Sequence, residues 1–281
     1  MNEIIFLYGL ALTWIIFATI QDLKKREVAN WLNFSLIIFA IGFRFFYSLF
    51  TENDFGFFYE GLIGLGIFFI LGNLLYYGRL FAGGDAKLLI ALGAIIPFSN
   101  ELTLNLRAFV SFLFIFFVVG AIYSLGVSFV FSLRNFKKFK KEFGNLFNKN
   151  RRLLYAPMFF GLILMISGSI NMVLFIIGIF IFILPYFYIY AKAVDESSMI
   201  KKTNVENLSE GDWIYKNIRI GKYLIKANWE GLKKKEIRLI RKNKRFVLIR
   251  QGIPFTPVFL ISFLIFIYFI KTGLWKNFSF V

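Results

Sequence analysis

Two carboxylates stand at the borders of long apolar runs. Asp22 follows the run Ile4–Ile20, and Asp85 precedes another, behind two glycines in "GRLFAGGDAKLLIALG" at residues 78–93. The chain has 16 acidic residues, and most of the others fall in polar loops or in a charged block near the C-terminus. It contains no His and no Cys. Those absences exclude Ser-His triads, histidine proton relays, disulfides, thiolate catalysis and nearly every zinc-hydrolase design. Hydrolysis, if there is any, rests on carboxylates, Lys, Tyr or Ser. Two carboxylates brought close cannot both ionise easily, so they share one proton. The ionised member activates a water as general base, while the protonated member polarises a carbonyl. That is peptide hydrolysis of the aspartic type, and it calls for neither metal nor cofactor. Gly83 and Gly84 carry no Cβ and leave room for a substrate backbone beside Asp85.

Each aspartate also has a plain structural reading. Asp85 suits a helix N-cap, where it meets free amides and the positive end of the helix dipole. Asp22 can pair with Lys25 or Arg26 one turn on, although a carboxylate at a helix C-terminus faces the unfavourable end of the dipole. Their common depth favours chemistry. The first helix ends on one side of the membrane, the next two go out and return, and the fourth starts on that same side.

The elements that set this depth are membrane helices. Of the 281 residues 58% are hydrophobic and 40 are Phe, more than a soluble chain of this length can bury. The first apolar run has no basic n-region and no small-residue cleavage site, so it reads as a retained helix and not a signal peptide. Helices are expected near 4–20, 31–50, 57–77, 86–100, 107–132, 154–168, 170–191 and 256–270, the sixth and seventh divided near "SGSIN" (167–171). The expected fold is an all-α polytopic membrane protein of about eight transmembrane helices, with a small cytoplasmic α+β domain inserted before the last. Residues 1–191 form the transmembrane core, 192–252 the cytoplasmic basic domain, and 253–281 the final helix and tail. Within 192–252, "DWIYKNIRI", "KYLIKANWEG" and "RFVLIRQGIPF" have strand-like alternation, and "LKKKEIRLIRKNK" suits a basic amphipathic helix.

The net charge of +17 is concentrated in a few segments. The stretch 21–30 has three basic residues, the 134–152 loop has eight with one Glu, and 192–252 has 16 Lys or Arg against 7 Asp or Glu. The loop at 51–56 is acidic, and 98–105 has no Lys or Arg. By the positive-inside rule 21–30, 78–85, 134–152 and 192–252 are cytoplasmic and both termini lie outside. The partners of such charge are anionic lipid headgroups, and nucleic acid is not expected. Arg44 and Arg107 lie toward outer helix ends and are expected to snorkel to the interface. "GLIGLG" (61–66) reads as close helix packing and not as a phosphate cradle, because no strand precedes it.

A helix-ending Asp, a basic loop with "VANWL" (28–32), then "AGGDAK" (82–87), resembles the prepilin and preflagellin peptidases, which are GxGD-type membrane aspartic proteases. The late "GIPFTPVFL" (252–260) is similar to that family's closing helix. The resemblance implies that Asp22 and Asp85 are the catalytic pair, that Gly83 and Gly84 line the approach, and that Lys87 is the motif lysine. It implies leader peptides of prepilins or preflagellins as substrates, cut at the cytoplasmic face of the cell membrane. Two positions depart from the pattern: Ala82 stands for the first Gly, and Val28-Ala29-Asn30 for Ile-Pro-Asn. The long cysteine-bearing zinc loop of many bacterial members is absent, which resembles the archaeal branch. Lys87 is placed to hold Asp85 ionised, and Glu27 to read a basic residue of the leader. The rival reading is a transporter or channel using Asp22 and Asp85 for cation or proton coupling, and a third is a non-catalytic scaffold of a filament machine. Transporter carboxylates sit near the bilayer midplane, whereas these two sit at its edge.

The charge pattern generates a topology prediction. Tags within 134–152 and within 192–252 should both report cytoplasmic, and a C-terminal tag should report external. An external signal from 192–252 would mean that 153–194 crosses once.

Overall fold

The computed structural model describes residues 2–51, 55–168 and 171–273. In chain order its helices are α1 (Asn2–Lys25), α2 (Asn30–Phe50), α3 (Gly56–Tyr77), α4 (Gly83–Gly93), α5 (Leu102–Arg134), α6 (Phe136–Lys149), α7 (Arg151–Ser167), α8 (Met172–Val194), α9 (Lys234–Asn243) and α10 (Thr256–Thr272). The strands are β1 (Ile200–Asn204), β2 (Trp213–Ile214), β3 (Ile218–Ile220), β4 (Tyr223–Ile225) and β5 (Phe246–Arg250). The chain divides into two compact units, one running to Ser124 and resuming at Pro254, the other Leu125–Ile253.

Among the described residues five helices, α1, α2, α3, α5 and α8, are long and apolar enough to cross a bilayer; α10 and α7 from Leu154 are apolar but shorter. With bulky side chains such as Ile5, Phe69 and Phe180 exposed on them, these helices are dressed for lipid, as in a multi-pass membrane protein. The expected helix at 86–100 differs. It starts at Gly83 and stops at Gly93. Eleven residues rise about 16 Å, roughly half of a hydrocarbon core. Pro97 accounts for the stop, since it disfavours helical backbone at the residue before it and cannot donate to the turn behind it.

In the first unit α4 packs against α3 through glycines. A Cβ on Gly64 would come within 2.3 Å of the Gly93 carbonyl oxygen, and one on Gly72 within 2.6 Å of the Ile90 side chain. The "GLIGLG" expectation of close helix packing is thus met at Gly64. Beyond Gly93 the chain leaves the helix while still buried, and Ala94, Ile95 and Ile96 have no exposed surface. Their carbonyls need donors, because neither a helix nor water supplies them. Arg44 of α2 does so. Its Nε donates to Ala94 O (2.9 Å), Nη2 to Ile95 O (3.3 Å) and to Pro97 O, and Nη1 to Phe57 O (2.8 Å) at the start of α3. Tyr8 adds a bond to Ile96 O (3.4 Å), and Asn105 of α5 accepts from Phe98 N and Ser99 N while donating to Glu60 of α3. Arg44 is fully buried, so the expectation that it snorkels outward is wrong. The broken helix end recruits it inward. Arg107, by contrast, is exposed.

In the second unit α7 and α8 form an antiparallel hairpin with glycines at the contact. A Cβ on Gly161 would approach Phe182 N at 2.8 Å, and one on Gly178 would approach Met165 N at 2.8 Å. Asn171 caps α8 by accepting from Val173 N (2.9 Å); residues 169 and 170 of the "SGSIN" divide lie outside the described residues, as do 52–54 and the tail 274–281. The stretch 134–152, read from sequence as a loop, is largely the helix α6. Phe139 and Phe147 recur at helical spacing on one side, where Phe139 meets Tyr190 of α8 edge-on and Phe147 stacks on Tyr186. After a π-helical turn at Asp195–Met199, β1, β5 and β2 form an antiparallel sheet in that order, with Ile200 opposite Arg250 and Trp213 opposite Arg250 on the other side. β3 and β4 make a hairpin turned at Gly221 (φ 55°). Ile214, Ile225, Leu232, Ile237, Ile240, Val247 and Ile249 share a small core under α9. Arg241 of α9 fastens Val205 O (3.0 Å) and Leu208 O (3.0 Å). The expected basic helix and strands are in place, and β1 is an addition to them.

The Arg44 network predicts a large loss on substitution. Arg44→Met orphans several buried carbonyls and should destabilise by more than about 3 kcal/mol. Arg44→Lys, with a donor but no fork, should fall between it and the unaltered protein. Thermal unfolding in detergent micelles ranks the three.

Candidate active site

The helix that ends near residue 20 in the sequence reading runs on to Lys25, so Asp22 sits inside its last turn. The chain then reverses at Arg26, in left-handed conformation (φ 58°), whose N–H bonds to Asp22 O (2.8 Å). Gln21 Oε1 accepts from Ala29 N (3.0 Å) and closes the turn into α2. This turn aims the Asp22 side chain inward, and the residue is 8% exposed. Its Oδ2 accepts from Thr256 N (3.1 Å) and Thr256 Oγ1 (2.9 Å). Asp22 thus caps α10 from a distance of 234 residues in sequence, and the carboxylate lies at the positive end of that helix. The dipole of its own helix is offset by that of another.

Asp85 is the third residue of α4, and the N-cap is Ala82, not Asp85 as the sequence reading had it. The carboxyl takes a hydrogen bond from the Ala82 backbone, the reach-back half of a capping box, and lies within range of the charge on Asp22. Tyr123 of α5 lies within range of the charges on Asp22 and Arg26. Phe81, Phe116 and Phe255 meet edge-on or tilted at centroid distances of 5.5–5.8 Å, joining the loop before α4 to α5 and to the entry of α10.

The remaining residues separate by role. Lys87 donates to Asn30 Oδ1 (2.7 Å), tying α4 to the first turn of α2; the expected partner was Asp85. The two glycines are not equivalent. Gly84 packs on Val28, where an added Cβ would touch the valine Cβ at 3.4 Å, and its carbonyl accepts from Asn33 Nδ2 (3.4 Å). Gly83 has only Tyr76 near its vacant Cβ position (3.6 Å) and borders a cavity. Glu27 is exposed in the α1–α2 turn. Among the described residues no three Asp or Glu gather in a metal-ligating cluster.

The sequence reading missed Thr256 and Tyr123. A signal for Thr256 was present, because Thr-Pro before an apolar run marks a helix start, and "GIPFTPVFL" contains it. Its pairing with Asp22 is tertiary and carries no local signature.

Residues 9–125 match the type IV leader peptidase family. The chain is 31% identical over 128 residues to the preflagellin peptidase of Methanococcus maripaludis (strain C6 / ATCC BAA-1332), covering 43% of this chain and 55% of that one. It is 29% identical over 128 residues to the preflagellin peptidase of Methanocaldococcus jannaschii, covering 43% and 54%. To the preflagellin peptidase of Methanococcus voltae it is 31% identical over 90 residues, covering 32% and 38%. The chain therefore spans about half the length of the curated relatives it matches, and no solved structure matches it. Both aspartates, the glycine pair before Asp85 and the α2–α4 tie at Lys87 fall inside the stretch that matches the type IV leader peptidase family.

Proposed function

We propose that the protein is an integral-membrane aspartic endopeptidase that removes leader peptides from preflagellin- or prepilin-like subunits. The observation that supports this reading is that Asp85, in the first turn of α4, lies within range of the charge on Asp22 in the last turn of α1. One carboxylate, ionised, takes a proton from the attacking water; the other, protonated, donates to the scissile carbonyl oxygen. The water oxygen bonds to the carbonyl carbon, and the resulting tetrahedral species collapses with the C–N bond broken and the departing amine protonated. Thr256 orients Asp22 through both of its donors. The names of the archaeal relatives support preflagellins as the substrate class. A cation- or proton-coupled transporter is the poorer reading, because the two carboxylates lie in helix end turns next to a basic loop, which the charge pattern puts at the membrane edge and not at mid-depth.

On this reading the chain crosses the membrane eight times, with α4 and its non-helical continuation completing the fourth passage. The dyad and residues 192–252 face the cytoplasm. A leader would approach from there, and Glu27, exposed beside the dyad, reads its basic residue.

Asp22→Asn and Asp85→Asn should each reduce leader cleavage by at least about a hundredfold, since a single carboxylate cannot fill both proton roles. N-terminal sequencing of a co-expressed preflagellin reads this, and substantial cleavage by either folded variant would sink the assignment. Thr256→Val keeps the backbone donor and loses the hydroxyl, so a milder fall of about tenfold is expected.

Glu27→Lys should raise KM for a basic leader more than for one whose basic residues are neutralised. Equal effects on both leaders would remove Glu27 from recognition.

A further inference from the structure

A groove of about 660 Å³ runs along the first unit between α2, α3 and α4. Its walls are apolar for most of their length, with Ile37, Leu65, Phe69 and Ile90 among them. It borders Gly83, two residues from Asp85. Phe34 and Phe69, on its rim, are more than half exposed, so the groove opens sideways toward lipid.

Among the polar groups in its lining, which include Asn73 and Lys87, Asn33 is the one most out of keeping with an acyl chain. Asn33 is 1% exposed, and its Oδ1 has no hydrogen-bond partner, although its Nδ2 donates to Gly84 O (3.4 Å). A buried acceptor without a donor is costly, and native structures seldom keep one without a use. A lipid tail offers no donor. A peptide does, in particular one that must leave the helix to be cut. Unwinding a helix at a membrane surface frees backbone N–H groups that hydrocarbon cannot satisfy. An orphan acceptor and an orphan donor complement each other.

We infer that this groove seats the apolar segment of the substrate that follows the scissile bond, and that Asn33 Oδ1 accepts a backbone N–H of its unwound first turn. The inference rests on the peptidase reading and deepens it. Asn33 is a positioning residue here. It holds the peptide in register beside Gly83 while Asp22 and Asp85 perform the chemistry. The substrate enters from the bilayer through the Phe34–Phe69 rim, which leaves the polar leader on the side of Glu27.

The test uses the full chain in lipid nanodiscs with a preflagellin as substrate. Absence of cleavage by the unaltered protein overturns the peptidase reading, and the groove assignment with it. Given cleavage, the groove is tested separately with the Asp85→Asn protein carrying a benzophenone side chain at Ile37 or Phe69. Crosslinks to substrate residues after the cleavage site are expected from both positions, and none from the same label at Ile5 of α1 or Phe117 of α5, which are lipid-exposed. Crosslinks to lipid alone from the groove, or equal crosslinks from the control positions, overturn the assignment. Asn33→Leu supplies the second arm. It should lower kcat/KM about tenfold, the scale of one hydrogen bond, with no more than the small fall in unfolding temperature that loss of the long Nδ2–Gly84 O bond (3.4 Å) brings, because the acceptor it removes has no partner. Asn33→Asp, which keeps an acceptor, should recover part of the rate. A loss of rate that merely tracks a loss of stability overturns the role of Asn33.

Discussion

A chain that leaves its helix inside an apolar core must find donors for the carbonyls beyond the helix end, and in this protein Arg44 supplies most of them. The guanidinium suits the task because it presents several N–H groups in a fixed fork and bonds at once to the strand of chain after α4 and to the start of α3. The position of Asp85 depends in part on that anchorage. At its far end α4 is held by Arg44, along its length by the glycine contacts with α3, and near its beginning by the Lys87–Asn30 bond. A rod fixed at three points lets a side chain in its first turn keep one position and one direction. The burial of a permanently charged residue is expensive in itself, and its return is a stationary carboxylate.

The parts legible in sequence were those written in local patterns. Hydrophobic run length and charge asymmetry outline the helices, and in a chain without His or Cys the carboxylates Asp22 and Asp85 stand out. What stayed hidden was tertiary. Arg44 in an apolar run looks the same whether it snorkels or turns inward, and the choice is made by carbonyls fifty residues away. The end of α4 was obscured because residues 94–97 are as apolar as a helix, with Pro97 the only break. In α6 the interleaving of Phe and Lys was present, but a high count of charges made a loop the simpler reading.

The matched stretch and the assembled site do not have the same boundaries. Residues 9–125 contain both aspartates, while the group that orients Asp22 lies at Thr256, at the head of the last described helix. A matched region can therefore contain a carboxylate whose partner lies in a distant segment. The long insertion between these parts folds as its own compact unit, with a separate small core. The first unit is thus closed by its two sequence ends, α1 against α10.

That closure imposes an order of biosynthesis. As a nascent chain leaves the ribosome, α1 and α4 are in the membrane long before α10 exists, and during that interval Asp22 lacks the cap it holds in the finished protein. The recess is completed only when Thr256 emerges and its helix inserts. A half-made copy, or one truncated by a broken message, is left with its carboxylate unoriented, surrounded by other newly inserted membrane proteins. Completion of the Asp22 cap waits on α10, the last of the described helices.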